Sequence, residues 1–589
     1  MPQPARTHPL LLALLLPLVL VGASREGGAE EAAARPTVDM ADWIRRYTTD
    51  ESSLRSFYSE PLDPQRGQRL SRFHASWRER LESVDFDALD VDGQVDHLLL
   101  SNHLRRRADE LALAKRRQAE TNELLPFGSD LVALETARRA LSAVAPEGAA
   151  EQLAAIDTRV TQLRTRLESL EPAARPTPVV AYRASKTVRR LSGLLKRWFD
   201  YRNGYEPAFG WWVRTPYAAL HKRLQDYERY LRETLAGVKD ARTAPLIGDP
   251  IGRDALLQAL AREVIPYSPE QLLTLAWKEF AWCEAQGKRA SEDLGRQGDW
   301  RAVVEAVKSM HAAPGQQDDV VALQAQEAIA FVRARDLLTV PPLCEETWRL
   351  QMIGQQQQKT FPFAFYNNQA MHVAYAMEGM DHNAKRMAMR GNNEHFTRIV
   401  TPHELIPGHH LQLFMADRER PYRALFRTAF LVEGWALHWE MLLWDLGWAR
   451  NAPDRVGMLF WRMHRCARII VTLAFHLGRM NPEQMIDFLV ERVGLERDGA
   501  TSEVRRYIAG AYGPLYQCAY MVGGLQMRAL YEELVGGKKM TPKAFHDAVL
   551  RQNSIPIEYI RLALKGQRAK RDQPAAWAFG GDVKPHAPK

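Results

Sequence analysis

Apolar residues recur at helical spacing along almost the whole chain. From Asp39 to Ala241, runs of Leu, Arg, Glu and Ala repeat in the pattern of amphipathic helices with one buried stripe. Breaks fall at Pro126-Phe127-Gly128, Pro146-Glu147-Gly148, Pro172 to Pro178 and Gly204 to Gly210. Ser268-Pro269-Glu270-Gln271, Asn481-Pro482-Glu483-Gln484 and Thr541-Pro542 are helix starts. Each offers a capping side chain and then a proline at the first helical position, where no amide is needed. Period-two alternation is scarce. Val179 to Tyr182 and Thr360 to Tyr366 are the strand candidates, and Gln355 to Gln358 reads as a polar loop. The pattern predicts a mostly α fold with minor β, a large helical body with a cleft between two halves. These halves are an N-terminal helical region, 38–245, and a catalytic region, 246–570, followed by a tail, 571–589.

The N-terminus reads as an address. Arg6 gives a positive start, Leu10 to Val21 a short apolar run broken by Pro17, and Val21-Gly22-Ala23 a small-residue cleavage site. Residues 1–23 are therefore expected to be a signal peptide and 24–37 a flexible linker. Twelve apolar residues are too few to span a bilayer, so no stable membrane insertion is expected after cleavage. No Cys lies near the cut to carry a lipid. The expected location is periplasmic or secreted.

Composition adds little that is specific. Hydrophobic residues at 46% and charged residues at 25% leave room for a large core. The net charge of +8 comes from 79 Lys and Arg dispersed among 71 acids with no nucleic-acid motif, so nucleic acid is not an expected partner. A mildly basic surface or a preference for acidic peptide ends is the more modest reading. Cys283, Cys344, Cys466 and Cys518 are too scattered for a disulfide framework or a Cys zinc site.

The chemistry concentrates in His403-Glu404-Leu405-Ile406-Pro407-Gly408-His409-His410, followed by Val432-Glu433-Gly434-Trp435-Ala436. In the common zinc-peptidase motif two His at i and i+4 on one helix face bind the metal, and the Glu after the first is the general base. Here the second His is displaced. If Pro407-Gly408 makes a two-residue bulge, His409 takes the i+4 place. In an unbroken helix His410 returns to the face of His403, about 10 Å further along the axis. The remaining His would then touch a ligand or the substrate. Asp417 to Pro421 is a charged, Pro-ended turn, and a hairpin centred there puts Glu433 level with about residue 406, between the His. That supplies the third ligand of an open zinc site. The bland alternative makes Thr401-Pro402-His403-Glu404 a helix start with Glu404 closing a capping box.

The H-E-x-x-P-G-H-H run with its following E-G-W-A resembles a bacterial domain-of-unknown-function family. That family is similar to helical zinc metallopeptidases of the thimet-oligopeptidase and Taq-carboxypeptidase type. Gly513-Pro514-Leu515-Tyr516-Gln517-Cys518-Ala519-Tyr520 with Gly523-Gly524, Ala544 to Leu550 and Ser554-Ile555-Pro556 extend the resemblance, which covers roughly residues 40 to 565. It implies a metallopeptidase without naming a substrate. Pro402 departs from it, since a small or apolar helix former is expected there.

These residues predict a zinc peptidase holding one zinc per chain on His403, His409 and Glu433, with Glu404 as general base. Tyr520 is expected to donate to the oxyanion. Gly523 and Gly524 would let backbone approach the substrate, and Arg528 would pair with a peptide carboxylate. Glu440, two turns after Glu433, would orient a ligand His. Two other classes fit the same residues: a zinc hydrolase of a non-peptide amide, and a non-catalytic exported binding protein.

Overall fold

The computed structural model describes residues 38–239, 246–358, 361–508 and 513–585. Among the described residues, 23 α-helices are joined by short 3-10 and π turns, and three short strands make one sheet. The fold is mostly α, as the periodicity predicts. The expected signal segment and linker, 1–23 and 24–37, lie outside the described residues. No helix among those described is long and apolar enough to cross a membrane.

The capping sequences start helices because their side chains satisfy first-turn amides that have no partner within the helix. Ser268 with Gln271 and Asn481 with Gln484 form reciprocal capping boxes. Thr541 accepts from the Ala544 amide. Two expectations fail. Val179 to Tyr182 is helical: Thr177 caps, Pro178 opens the Pro178–Arg202 helix, and the apolar period of 3.6 continues to Phe199. Two adjacent valines do not outweigh a cap and a first-turn proline. Gln355–Gln358 is a helical turn rather than a loop, held because the Gln358 amide donates to the carbonyls of Ile353 and Tyr375.

The strand candidate at 360–366 is extended over Ala364–Tyr366; Thr360 lies outside the described residues. Met371–Val373 is the central strand, parallel to Leu350–Met352 and antiparallel to Ala364–Tyr366, with Phe365 opposite His372. Ala364–Tyr366 is therefore an edge strand.

In the N-terminal region, helices Pro146–Glu168, Pro178–Arg202 and Pro207–Arg229 bury Leu153, Val160, Leu191, Trp198 and Phe209 in a common core. Further along, Ala452–His476 is buried at nearly every position and packs on Pro269–Asp293. Ala429–Asp445 lies along Tyr516–Tyr531. Their backbones touch: a Cβ on Gly523 would fall 2.0 Å from the Phe430 carbonyl oxygen, and one on Gly434 2.5 Å from the Gly523 carbonyl carbon. Asp92 and Asp96 on the Val91–Thr121 helix grip Arg420 and Arg423 at 2.6 and 2.7 Å. This clamps the turn that sets Glu433 opposite the His motif. The described residues from Asp39 onward pack as one unit. The tail folds back, with the Tyr267 hydroxyl accepting from the amides of Phe579 and Gly580. All four cysteines are free and buried.

Candidate metal centre

The Glu394–Glu404 helix starts at Asn393, whose side chain accepts from the amides of His395 and Phe396. Pro402 therefore sits inside the helix, and Glu404 belongs to no capping box. A mid-helix proline removes the donor that would meet the carbonyl four residues back. Here that carbonyl, of Arg398, is taken by the Trp448 indole at 3.0 Å. This explains how the helix tolerates the unexpected proline.

The helix ends at Glu404 and the next begins at His409. Between them the chain doubles back, and the Gly408 amide donates to the Pro402 carbonyl at 2.9 Å. A Cβ on Gly408 would lie 1.8 Å from the His403 carbonyl oxygen, so only glycine fits. The Trp435 indole donates to the Pro407 carbonyl at 2.8 Å, tying the bulge to the Ala429–Asp445 helix.

This bulge brings the rings of His403 and His409 to 4.8 Å, nearly perpendicular at 86°. Glu433 reaches between them. Its Oε2 is 3.7 Å from His403 Nε2 and 3.3 Å from His409 Nε2. Both separations exceed the usual hydrogen-bond range. They match the edge of a tetrahedron around zinc, roughly 3.4 Å for metal bonds of about 2.0–2.1 Å. Glu404 presents an oxygen within 4.8 Å of the same two imidazoles. All four side chains are buried. Two imidazoles and a carboxylate at this spacing fit zinc, with Glu404 beside the set.

The supporting shell is equally defined. Glu440 Oε1 lies 2.6 Å from His403 Nδ1, and Arg465 donates to the same oxygen at 3.3 Å. Burial would push the His403 imidazole down, but the Glu433 and Glu440 carboxylates hold it up at about 9. Burial likewise works to raise Glu433, yet the His409 and His403 imidazoles hold its carboxyl well below the usual range. Tyr516, which the sequence reading did not single out, donates its hydroxyl to Glu433 Oε1 at 2.7 Å.

His410 points elsewhere. Its Nδ1 is 2.8 Å from the Tyr366 hydroxyl and its Nε2 2.8 Å from the Cys344 carbonyl. With both nitrogens engaged it is neither a ligand nor a substrate contact; it fixes Tyr366.

A cavity of about 320 Å³ opens on the donor set. Every described residue lining it lies from Phe361 to Tyr520, so the later half of the chain builds it, not a cleft between two halves. Phe361 to Tyr366 forms one wall and Arg465, Arg468, Glu503 and Arg506 another. Tyr520 stands between, its ring parallel to that of His403 at 6.4 Å. Burial pushes its hydroxyl up to about 12, which keeps it a proton-bearing donor. These arginines lie outside every motif that the sequence marks. Arg465 and Arg468, three apart among the buried residues of the Ala452–His476 helix, were the available signal.

Three other expected site residues lie away from the cavity. Arg528 pairs with Asp445 and Glu532, each at 3.0 Å. Eight residues past Tyr520, it is about 12 Å further along the helix. Gly523 faces Phe430 and Gly434, and Gly524 faces Leu437 at 3.0 Å. Both serve helix contact rather than substrate approach. Several other histidines make polar contacts in the packing: His395 with Asp454, His438 with His546, His464 with Tyr507.

The sequence matches, over residues 58–564, the family described as bacterial protein of unknown function (DUF885). No curated protein matches it. A solved structure described as a lipoprotein of unknown function from Shewanella oneidensis superposes with a TM-score of 0.67 at 17% identity, covering 90% of this chain and 100% of its own. One described as a lipoprotein from Colwellia psychrerythraea gives 0.57 at 16%, covering 89% and 98%. At such identities the likeness is one of fold. The match over most of its length means that this chain belongs to the DUF885 family of bacterial proteins of unknown function.

Proposed function

We propose that the protein is an exported zinc-dependent metallopeptidase that hydrolyses short, unstructured peptides. The observation that carries this reading is the convergence of His403 Nε2, His409 Nε2 and Glu433 Oε2 at tetrahedral spacing, with Glu404 in the wall of the same cavity. His403, His409 and Glu433 would hold the metal. When bound, zinc supplies Lewis acidity and lowers the pKa of water from 15.7 toward about 7.

The chain's own groups do the rest. Glu404 accepts the proton of the attacking water and passes it to the leaving amine, a role that contributes roughly 10²–10⁴-fold. The Tyr520 hydroxyl, protonated across the working pH range, donates to the oxygen that gains charge. Glu440 and Tyr516 hold His403 and Glu433 in place. The edge strand Ala364–Tyr366 lines the cavity, where a peptide backbone can add alongside it. This favours an extended chain over a folded protein. Export is supported by the apolar stretch Leu10 to Val21 and by relatives described as lipoproteins. The sequence has no cysteine before Cys283.

Metal analysis of the purified protein, with a peptide-library digest read by mass spectrometry with and without chelator, tests the proposal. The expected result is about one zinc per chain and cleavage that chelator abolishes. Cleavage indifferent to chelator, or none by zinc-loaded protein, would contradict it.

A further inference from the structure

The arginine wall of the cavity is more than a set of ion pairs. Arg468, only 3% exposed, donates through Nη2 to Glu503 at 2.9 Å and through Nε to the Tyr507 hydroxyl at 3.0 Å. Its Nη1 is buried and has no hydrogen-bond partner among the described residues. Arg506 donates to the same Glu503 at 2.6 Å, so one carboxylate serves two guanidiniums. The neighbouring carboxylate, Glu440, is already shared between Arg465 and His403. His464, packed against this group, is pushed well below its usual range by burial and by Arg468, so it remains neutral. With Glu440 counted in, three guanidiniums face two carboxylates, an excess of one positive charge. A buried guanidinium donor without an acceptor is costly. An anionic group entering the cavity would remove that cost.

We infer that Arg468, supported by Arg506, binds the terminal carboxylate of the substrate, making the enzyme an exopeptidase that acts from the C-terminal end. This rests on the peptidase reading above. The spacing limits how much of the substrate lies beyond the cleaved bond. The Arg468 guanidinium carbon is 4.5 Å from the centre of the Tyr520 ring, which is itself 6.4 Å from that of His403. The guanidinium is therefore at most about 11 Å from the His403 ring, so no more than about three extended residues, at about 3.4 Å each, lie between them. Glu503 and Tyr507 hold Arg468 in position in the wall of the cavity.

The test is a binding measurement that does not depend on turnover. Zinc-loaded Glu404→Gln protein is titrated calorimetrically with one tetrapeptide as its free acid, as its C-terminal amide, and as an amide ending in Asp. The free acid is expected to bind roughly ten- to hundredfold tighter than either amide, the range for a charge-assisted hydrogen bond to a buried partner. Arg468→Gln should erase that preference, while Arg468→Lys should retain part of it. The Glu404→Gln protein with Arg468 intact supplies the acid-to-amide ratio even if the arginine variants do not fold. Equal binding of acid and amide overturns the inference while leaving zinc-dependent cleavage intact. An Asp amide as tight as the free acid overturns the terminal assignment in favour of any carboxylate. A free-acid preference in a protein that cleaves nothing supports the carboxylate site and sinks the peptidase reading instead.

Discussion

His403 Nδ1 lies 2.6 Å from Glu440 Oε1, while Nε2 of the same ring faces Glu433, seven residues earlier on the same helix. One helix thus carries both the proposed ligand carboxylate and the group that orients its neighbour. Partners of this kind are worth about 10- to 100-fold in metal affinity. Glu440→Gln should weaken zinc retention by that factor in competition with a chelator while the helical content is unchanged. Unaltered retention would reduce Glu440 to a partner of Arg465.

The two adjacent histidines separate cleanly. His409→Ala should lose the metal. His410→Ala should keep it, because His410 bonds Tyr366 and the Cys344 carbonyl. Metal analysis of the two variants side by side decides the point; zinc lost only from His410→Ala would reverse the assignment.

Gly523 is a packing residue, so its replacement should act through stability first. In Gly523→Ala the new Cβ meets the Phe430 carbonyl oxygen at 2.0 Å and the Gly434 Cα at 2.9 Å. The helices bearing Glu433 and Tyr520 must separate. Overpacking of this kind costs about 1–3 kcal/mol or more. A lower Tm and weaker zinc retention are expected together. An unchanged Tm would contradict the backbone contact.

Glu558 gives a pH signature away from the site. Burial pushes its carboxyl up to about 7, against the backbone amides of Ala576 and Trp577 and the charge of Arg561. An acid whose folded pKa is raised costs nothing below the unfolded value near 4.5, and the cost grows as pH rises to about 7. Above that it is fully present, up to about 3 kcal/mol. Glu558→Gln should therefore raise Tm at pH 8 and hardly at all at pH 4. Equal shifts at both pH values would rule this account out.

The helical architecture was readable because its signals are local. Ser268, Asn481 and Thr541 cap helices with their own side chains. The positions of His403, His409 and Glu433 also followed from short-range geometry: a Pro-Gly bulge and one hairpin turn. What the sequence hid depends on distant partners. Pro402 inside a helix is tolerable only because Trp448 arrives to take the Arg398 carbonyl. Tyr516, four residues before Tyr520, gains its role only once Glu433 is opposite. Gly523-Gly524 reads the same whether it faces a substrate or a helix, and packing decided for the helix. Arg528 and Arg468 look alike in a sequence; one meets Asp445 and Glu532, the other the cavity.

Glu404 is the proposed base at a metal-activated water, and one comparison tests that role directly. Wild-type and Glu404→Gln proteins, brought to equal measured zinc content, are given the same unstructured peptide and their turnover rates compared. Glutamine keeps the shape and polarity of the side chain but cannot accept the proton. Zinc should stay bound while turnover falls by at least about 10²-fold. Turnover within a few-fold of wild type at full zinc occupancy would contradict the account.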